Sequence, residues 1–214
     1  TCQGHVVAFR TGQAKGSIVV QKGHHYIKLE GADIISEKSV IQVQDGAEVT
    51  VAVQGKDNQL QGGGAGIAVS PKGKLTIQTL DGKNANSADH VLKVKSTGIG
   101  AGIGGSAIGA DAGNAGEITI ESGTIVAQGG NRSAGIGGTA DGTVKSVKIN
   151  GGIVLAKGGD GIKSDYEGSS VVNGAPGIGS GNDKIKGKSE LVINGGQVTA
   201  IGGMNHGSDK HASG

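Results

Sequence analysis

Ile118-Thr-Ile-Glu-Ser-Gly-Thr-Ile-Val-Ala-Gln-Gly-Gly130 is a thirteen-residue block that returns as Val147-Lys-Ile-Asn-Gly-Gly-Ile-Val-Leu-Ala-Lys-Gly-Gly159 and as Leu191-Val-Ile-Asn-Gly-Gly-Gln-Val-Thr-Ala-Ile-Gly-Gly203. The three copies align without a gap. Each follows a Gly-Ile-Gly element, at Gly102-Ile-Gly104, Gly135-Ile-Gly137 and Gly177-Ile-Gly179. The isoleucines of these elements lie 33 residues (103 to 136) and 42 residues (136 to 178) apart. Self-similarity on this scale marks stacked structural repeats.

Inside each block the apolar residues alternate, which is the period of a strand. Ile118 and Ile120 point one way and Thr119 the other; past Glu121-Ser-Gly123, Ile125 and Ala127 point inward and Val126 and Gln128 outward. Asn150-Gly-Gly152 and Asn194-Gly-Gly196 fill the same turn in the other copies, and these residues tolerate positive φ. Two short strands, a corner and a short Gly-Ile-Gly strand make one coil of a three-sided solenoid. The fold expected is all-β, a right-handed single-stranded parallel β-helix. Stacking then puts Ile118 over Val147 and Leu191, with backbone hydrogen bonds running between coils. A hairpin meander, the rival, predicts no such register. The longer repeat contains an insertion from about Asp160 to Val172. A more divergent coil lies upstream, with Gly64-Ala-Gly-Ile67 followed by Leu75-Thr-Ile77.

Composition agrees. Glycine makes up 45 of 214 residues, without a collagen period and with only 2 prolines. A fold with glycine corners and β-branched walls accounts for this. Phe9, Tyr26 and Tyr166 are the aromatics, as a thin layered core of Ile, Val and Ala permits. The net charge of +2 comes from 20 basic and 18 acidic residues without long runs, which gives no footprint for nucleic acid. Cys2 stands alone, so no internal disulfide forms, and it reads as a stray residue or the scar of a lipid-anchored N-terminus. No run of 18 apolar residues is long enough to span a membrane, and no signal peptide is visible.

Residues 1–60 have a different texture. Ser17-Ile-Val-Val20, Tyr26-Ile-Lys-Leu29, Val40-Ile-Gln-Val43 and Glu48-Val-Thr-Val-Ala-Val53 alternate, and Gln44-Asp-Gly46 and Gly31-Ala-Asp33 read as turns. This segment is expected to form irregular first coils that cap the solenoid. Residues 61–204 form the glycine-rich coils, and 205–214 a polar, flexible tail.

The Gly-Ala-Gly-Ile-Gly-Gly corner, the I-x-I-N-G-G strand and the V-x-A-x-G-G strand together resemble the glycine-rich repeats of large bacterial cell-surface proteins. Asn58-Gln-Leu-Gln-Gly-Gly-Gly-Ala-Gly-Ile67 and Pro71-Lys-Gly-Lys-Leu-Thr-Ile77 resemble the segment preceding such repeats. The match runs from about Val40 to Gly203. The resemblance implies a secreted or surface-exposed β-helix acting as an adhesin or carbohydrate-binding module. It supplies no catalytic motif, and a likeness of fold does not fix an activity.

Among candidate sites the insertion stands out, because loops on a rigid scaffold often carry binding residues. Tyr166 offers a face for sugar stacking, and Asp160, Asp165 and Glu167 offer carboxylates to sugar hydroxyls; a partnerless surface insertion is the alternative. Gly158-Gly-Asp-Gly-Ile-Lys-Ser-Asp165 distantly resembles a calcium-binding nonapeptide, but it occurs once and its aspartate is out of register, so no cofactor is expected, calcium aside. Asp111, Asp141 and Asp183 fall in comparable corners; a row of acids there would suit a polysaccharide-cleaving enzyme, and three solvated turn aspartates explain them equally. His24, His25, His90, His206 and His211 lack zinc-site spacing. Thr76, Thr119, Lys148 and Val192 share one position, which is no ice-binding threonine ladder. The expected role is therefore non-catalytic adhesion or carbohydrate binding, with a structural stalk and a polysaccharide-cleaving enzyme as alternatives. The expected partner is a glycan or a cell-surface protein.

Overall fold

The computed structural model describes residues 12–81, 87–107, 113–162, 173–180 and 189–205. The first coil comprises β1 (Gln13–Lys15), β2 (Ile18–Val20) and β3 (Gly23–Glu30), and the second β4 (Asp33–Ser36), β5 (Ile41–Val43) and β6 (Ala47–Gln54). β7 (Asn58–Gly62), β8 (Ile67–Val69) and β9 (Lys74–Thr79) follow, then β10 (Val91–Ser96), β11 (Ile103–Gly104) and β12 (Ala115–Ile120). The fifth coil holds β13 (Thr124–Gln128), β14 (Ile136–Gly137) and β15 (Val144–Ile149), and the sixth β16 (Ile153–Lys157), β17 (Ile178–Gly179) and β18 (Glu190–Ile193). β19 (Gln197–Ile201) opens a seventh.

Every third strand joins the same sheet. The first sheet runs β1-β4-β7-β10-β13-β16-β19, the second β2-β5-β8-β11-β14-β17 and the third β3-β6-β9-β12-β15-β18. Every strand pairing is parallel, so the chain is a parallel β-helix of three sheets and not a meander. The register is the one read from the repeats: Ile118 pairs with Val147 and Val147 with Leu191. The tight turns need glycine at positive φ, as at Gly123 (96°), Gly152 (86°) and Gly196 (90°).

The core is built of vertical columns. Ile18, Ile41, Ile67, Ile103, Ile136 and Ile178 stack in the second sheet. Ile27, Val51, Ile77, Ile120, Ile149 and Ile193 stack in the third. Each fully buried isoleucine contributes roughly 1.5–3 kcal/mol of hydrophobic stabilisation. The two ends differ. Ile27 in the first coil is only 2% exposed, whereas Leu191 and Ile193 in β18 are 49% and 51% exposed.

Two details depart from the sequence reading. Asp33, read as part of a turn, begins β4. Residues 12–60 are as regular as the rest: they supply strands to all three sheets, and β6 is buried at Val49, Val51 and Val53. The polar tail lies outside the described residues beyond Asn205.

Candidate functional site

The corner between the first and second sheets carries the most distinctive surface. Strands of the first sheet alternate, so Leu60, Val94, Ala127 and Ala156 face the core while their neighbours face outward. Parallel register then aligns Gln61 with Lys95, Lys95 with Gln128 and Gln128 with Lys157. All four side chains are exposed. A second outward row runs alongside, Gln59, Lys93, Val126, Leu155 and Thr199, with aliphatic surface at Val126 and Leu155.

Two clefts border this column. One, of about 550 Å³, is lined by Lys15, Ser17, Ser36, Lys38, Gln61 and Thr97 among others. The next, of about 240 Å³, is lined by Lys95, Thr97, Gln128, Asn131, Lys157 and Asp160 among others. Thr97 lines both, so the clefts adjoin along the axis.

The floor of the second cleft consists of Gly129-Gly130 and Gly158-Gly159. These positions are glycine because the coils approach closely there. A Cβ on Gly159 would overlap the Gly130 carbonyl oxygen, and one on Gly130 the Gly98 carbonyl oxygen. The same lack of side chains keeps the cleft open. Its backbone amides are already used: Gly129 N–H donates to the Lys157 carbonyl (2.9 Å), Gly130 N–H to the Gly100 carbonyl (2.9 Å) and Gly158 N–H to the Ile201 carbonyl (2.8 Å). Ligand contacts therefore fall to side chains. Lysine only donates, whereas glutamine, asparagine and threonine both donate and accept.

Charge is distributed unevenly over the faces. On the third sheet two outward lysines are matched with acids, Lys74 Nζ lying 2.8 Å from Glu48 and Lys145 Nζ 2.7 Å from Glu117, while Lys148 has no ion pair among the described residues. The hydrogen bond from Lys74 lowers the Glu48 pKa below its ordinary value against an opposing desolvation. Lys93, Lys95 and Lys157 of the first sheet have no ion pair among the described residues.

Asp160 lies in this groove, but one carboxylate oxygen is engaged: Oδ1 accepts the Met204 N–H at 2.8 Å, and its carbonyl accepts the Arg132 N–H at 3.0 Å. It staples the corners of three successive coils. Asp165, Tyr166 and Glu167 fall outside the described residues, as do Asp111, Asp183, His206, His211 and Cys2. Asp141 borders a third cleft of about 340 Å³ with Arg132, Ile99 and Ile162, which shares Asn131 with the groove. Arg132 is the one non-glycine residue at positive φ (54°) among those described. His24 Nδ1 lies 3.1 Å from Glu48, and His90 Nε2 lies 3.5 Å from Asp81. Among the described residues no three His, Cys, Asp or Glu side chains gather to hold a metal. The position shared by Thr76, Thr119, Lys148 and Val192 is one physical column, continued upstream by Thr50 and Tyr26.

The lysine and glutamine column escaped sequence reading. Val91-Leu-Lys-Val-Lys-Ser96 alternates and was the available signal, but its register to Gln61 and Gln128 depends on coil lengths that vary. Compared with protein-family models, with curated proteins and with solved structures, the chain matches none.

Proposed function

We propose that this β-helix is a non-catalytic adhesin or carbohydrate-binding module of a bacterial surface or secreted protein, and that glycan lies in the groove between the first and second sheets. The observation that carries this reading is the exposed Gln61-Lys95-Gln128-Lys157 column beside a glycine floor. Amide and ammonium groups in a row suit a ligand dense in hydroxyls and acceptors, and the aliphatic surface of Val126 and Leu155 suits the C–H faces of sugar rings. With no aromatic side chain lining the groove among the described residues, each site is weak, so repeated display supplies avidity. Asp160, where the insertion read from the sequence begins, lines this groove, which supports a supplementary role for Asp165, Tyr166 and Glu167. No helix among the described residues is long and apolar enough to cross a membrane.

A glycan array probed with a multivalent display of the chain tests the reading. Clustered hits sharing one sugar, weakened by Gln128→Ala, support it. A blank array overturns it in favour of a structural stalk, for which the continuous core columns also provide. New reducing ends or unsaturated products from a bound polysaccharide, lost on Asp141→Asn, would instead make the chain an enzyme.

A further inference from the structure

Four successive coils present glutamine, lysine, glutamine, lysine in one exposed column: Gln61, Lys95, Gln128, Lys157. Neighbouring strands lie about 4.8 Å apart, so the two lysines recur at roughly 10 Å. A sugar in an extended β-linked chain advances by about one strand spacing. A glycan lying along the solenoid axis therefore meets a cation on every second sugar and an amide on the sugar between.

We infer that the groove takes a linear anionic glycan with a disaccharide repeat, one sugar acidic and the next neutral. The inference rests on the proposed glycan-binding role and names its ligand class. The acidic group, a carboxylate or a sulfate, lies opposite Lys95 and Lys157, whose ammonium groups form no ion pair among the described residues although Asp160 lines the same cleft. The neutral sugar lies opposite Gln128, whose amide donates to and accepts from hydroxyl or acetamido groups. A homopolymer with an acid on every sugar would leave its middle charge facing an amide. A nucleic acid carries a charge at every nucleotide and wants aromatic platforms, and the groove lining contains none among the described residues.

The test is a titration of the full chain at low salt with four probes: an octasaccharide alternating glucuronate with N-acetylhexosamine, an oligouronate of equal length, a neutral β-linked oligosaccharide and a single-stranded oligonucleotide. The alternating probe is expected to bind most tightly and to weaken steeply with added salt. Lys95→Gln and Lys157→Gln are each expected to weaken it about three-fold, and the double variant about ten-fold, as for exposed ion pairs. Lys148→Gln, an outward lysine of the third sheet, makes the same change in net charge and is expected to leave binding unchanged. Equal loss from Lys148→Gln, or equal affinity for the oligouronate or the oligonucleotide, overturns the inference. Binding of the neutral probe alone, lost on Gln128→Ala, overturns it while leaving the glycan-binding role intact. Binding of no sugar probe removes both.

Discussion

Asn194 Nδ2 donates to Asn150 Oδ1 at 2.8 Å across 44 residues of chain. Asn150 Nδ2 in turn donates to Glu121 Oε1 at 2.9 Å, so one turn position is laced through three coils. Each such bond contributes about 1 kcal/mol net. Asn150→Ala breaks both and is expected to cost about 2 kcal/mol, whereas Asn194→Ala breaks one exposed bond and costs about half as much. Urea unfolding of the two variants measures the difference; equal losses would contradict the ladder.

Asn58 is the most heavily engaged polar side chain in the core. Its Oδ1 accepts the Ala32 N–H at 3.1 Å, and its Nδ2 faces the carbonyls of Gln54, Gly55 and Val91 at 3.0–3.2 Å. It is fully buried. Asn58→Ala strands these partners without water, and each unsatisfied group costs roughly 1–3 kcal/mol. A loss of about 3 kcal/mol or more in urea denaturation is expected; a loss below about 1 kcal/mol would show that these contacts are not made.

How far the sequence disclosed this molecule follows from what its repeats share. The Ile103, Ile136 and Ile178 column and the Ile118-Val147-Leu191 register were legible because identical local chemistry recurs in gap-free blocks. Strand β4 was not, because Asp33 reads as a turn residue and its pairing with Gln59 is set by tertiary register. The groove was hidden for a related reason. Gln61, Lys95, Gln128 and Lys157 are unlike one another, and unequal coils separate them, so no local pattern joins them. Asp160 was legible as a residue of that corner, but its bond to Met204 belongs to the next coil.

Gly159 and Gly130 test the close approach of the coils. An added Cβ at Gly159 overlaps backbone, which cannot yield as a flexible side chain would. Gly159→Ala is expected to cost about 3 kcal/mol, the upper range of overpacking. Gly202, whose added Cβ meets nothing closer than 3.8 Å, serves as the control, with Gly202→Ala expected to be near neutral. Thermal denaturation of both variants reads the contrast, and equal stability would contradict the packing of the corner.

The Glu48–Lys74 pair sets a pH dependence on the third sheet. Lys74 holds the Glu48 pKa below its ordinary value, and Glu48, chiefly through the same hydrogen bond, raises that of Lys74. The glutamate's contribution is thus present above its unfolded pKa and lost as pH falls through the folded one. The lysine's is present below its unfolded pKa and lost as pH rises through the folded one. Side-chain NMR titration is expected to place the Glu48 midpoint below that of an ordinary glutamate, and Lys74→Gln to move it up. An unmoved midpoint would contradict the pair.

Backbone amide NMR during glycan titration tests the central claim most directly. The account predicts shifts confined to the first-sheet corner, at Gly129, Gly130, Gly158, Gly159 and their Lys95, Gln128 and Lys157 neighbours, with the third sheet at Lys74, Glu117 and Lys145 unmoved. Shifts centred on the third sheet, or saturable binding that leaves the corner glycines unmoved, would contradict it.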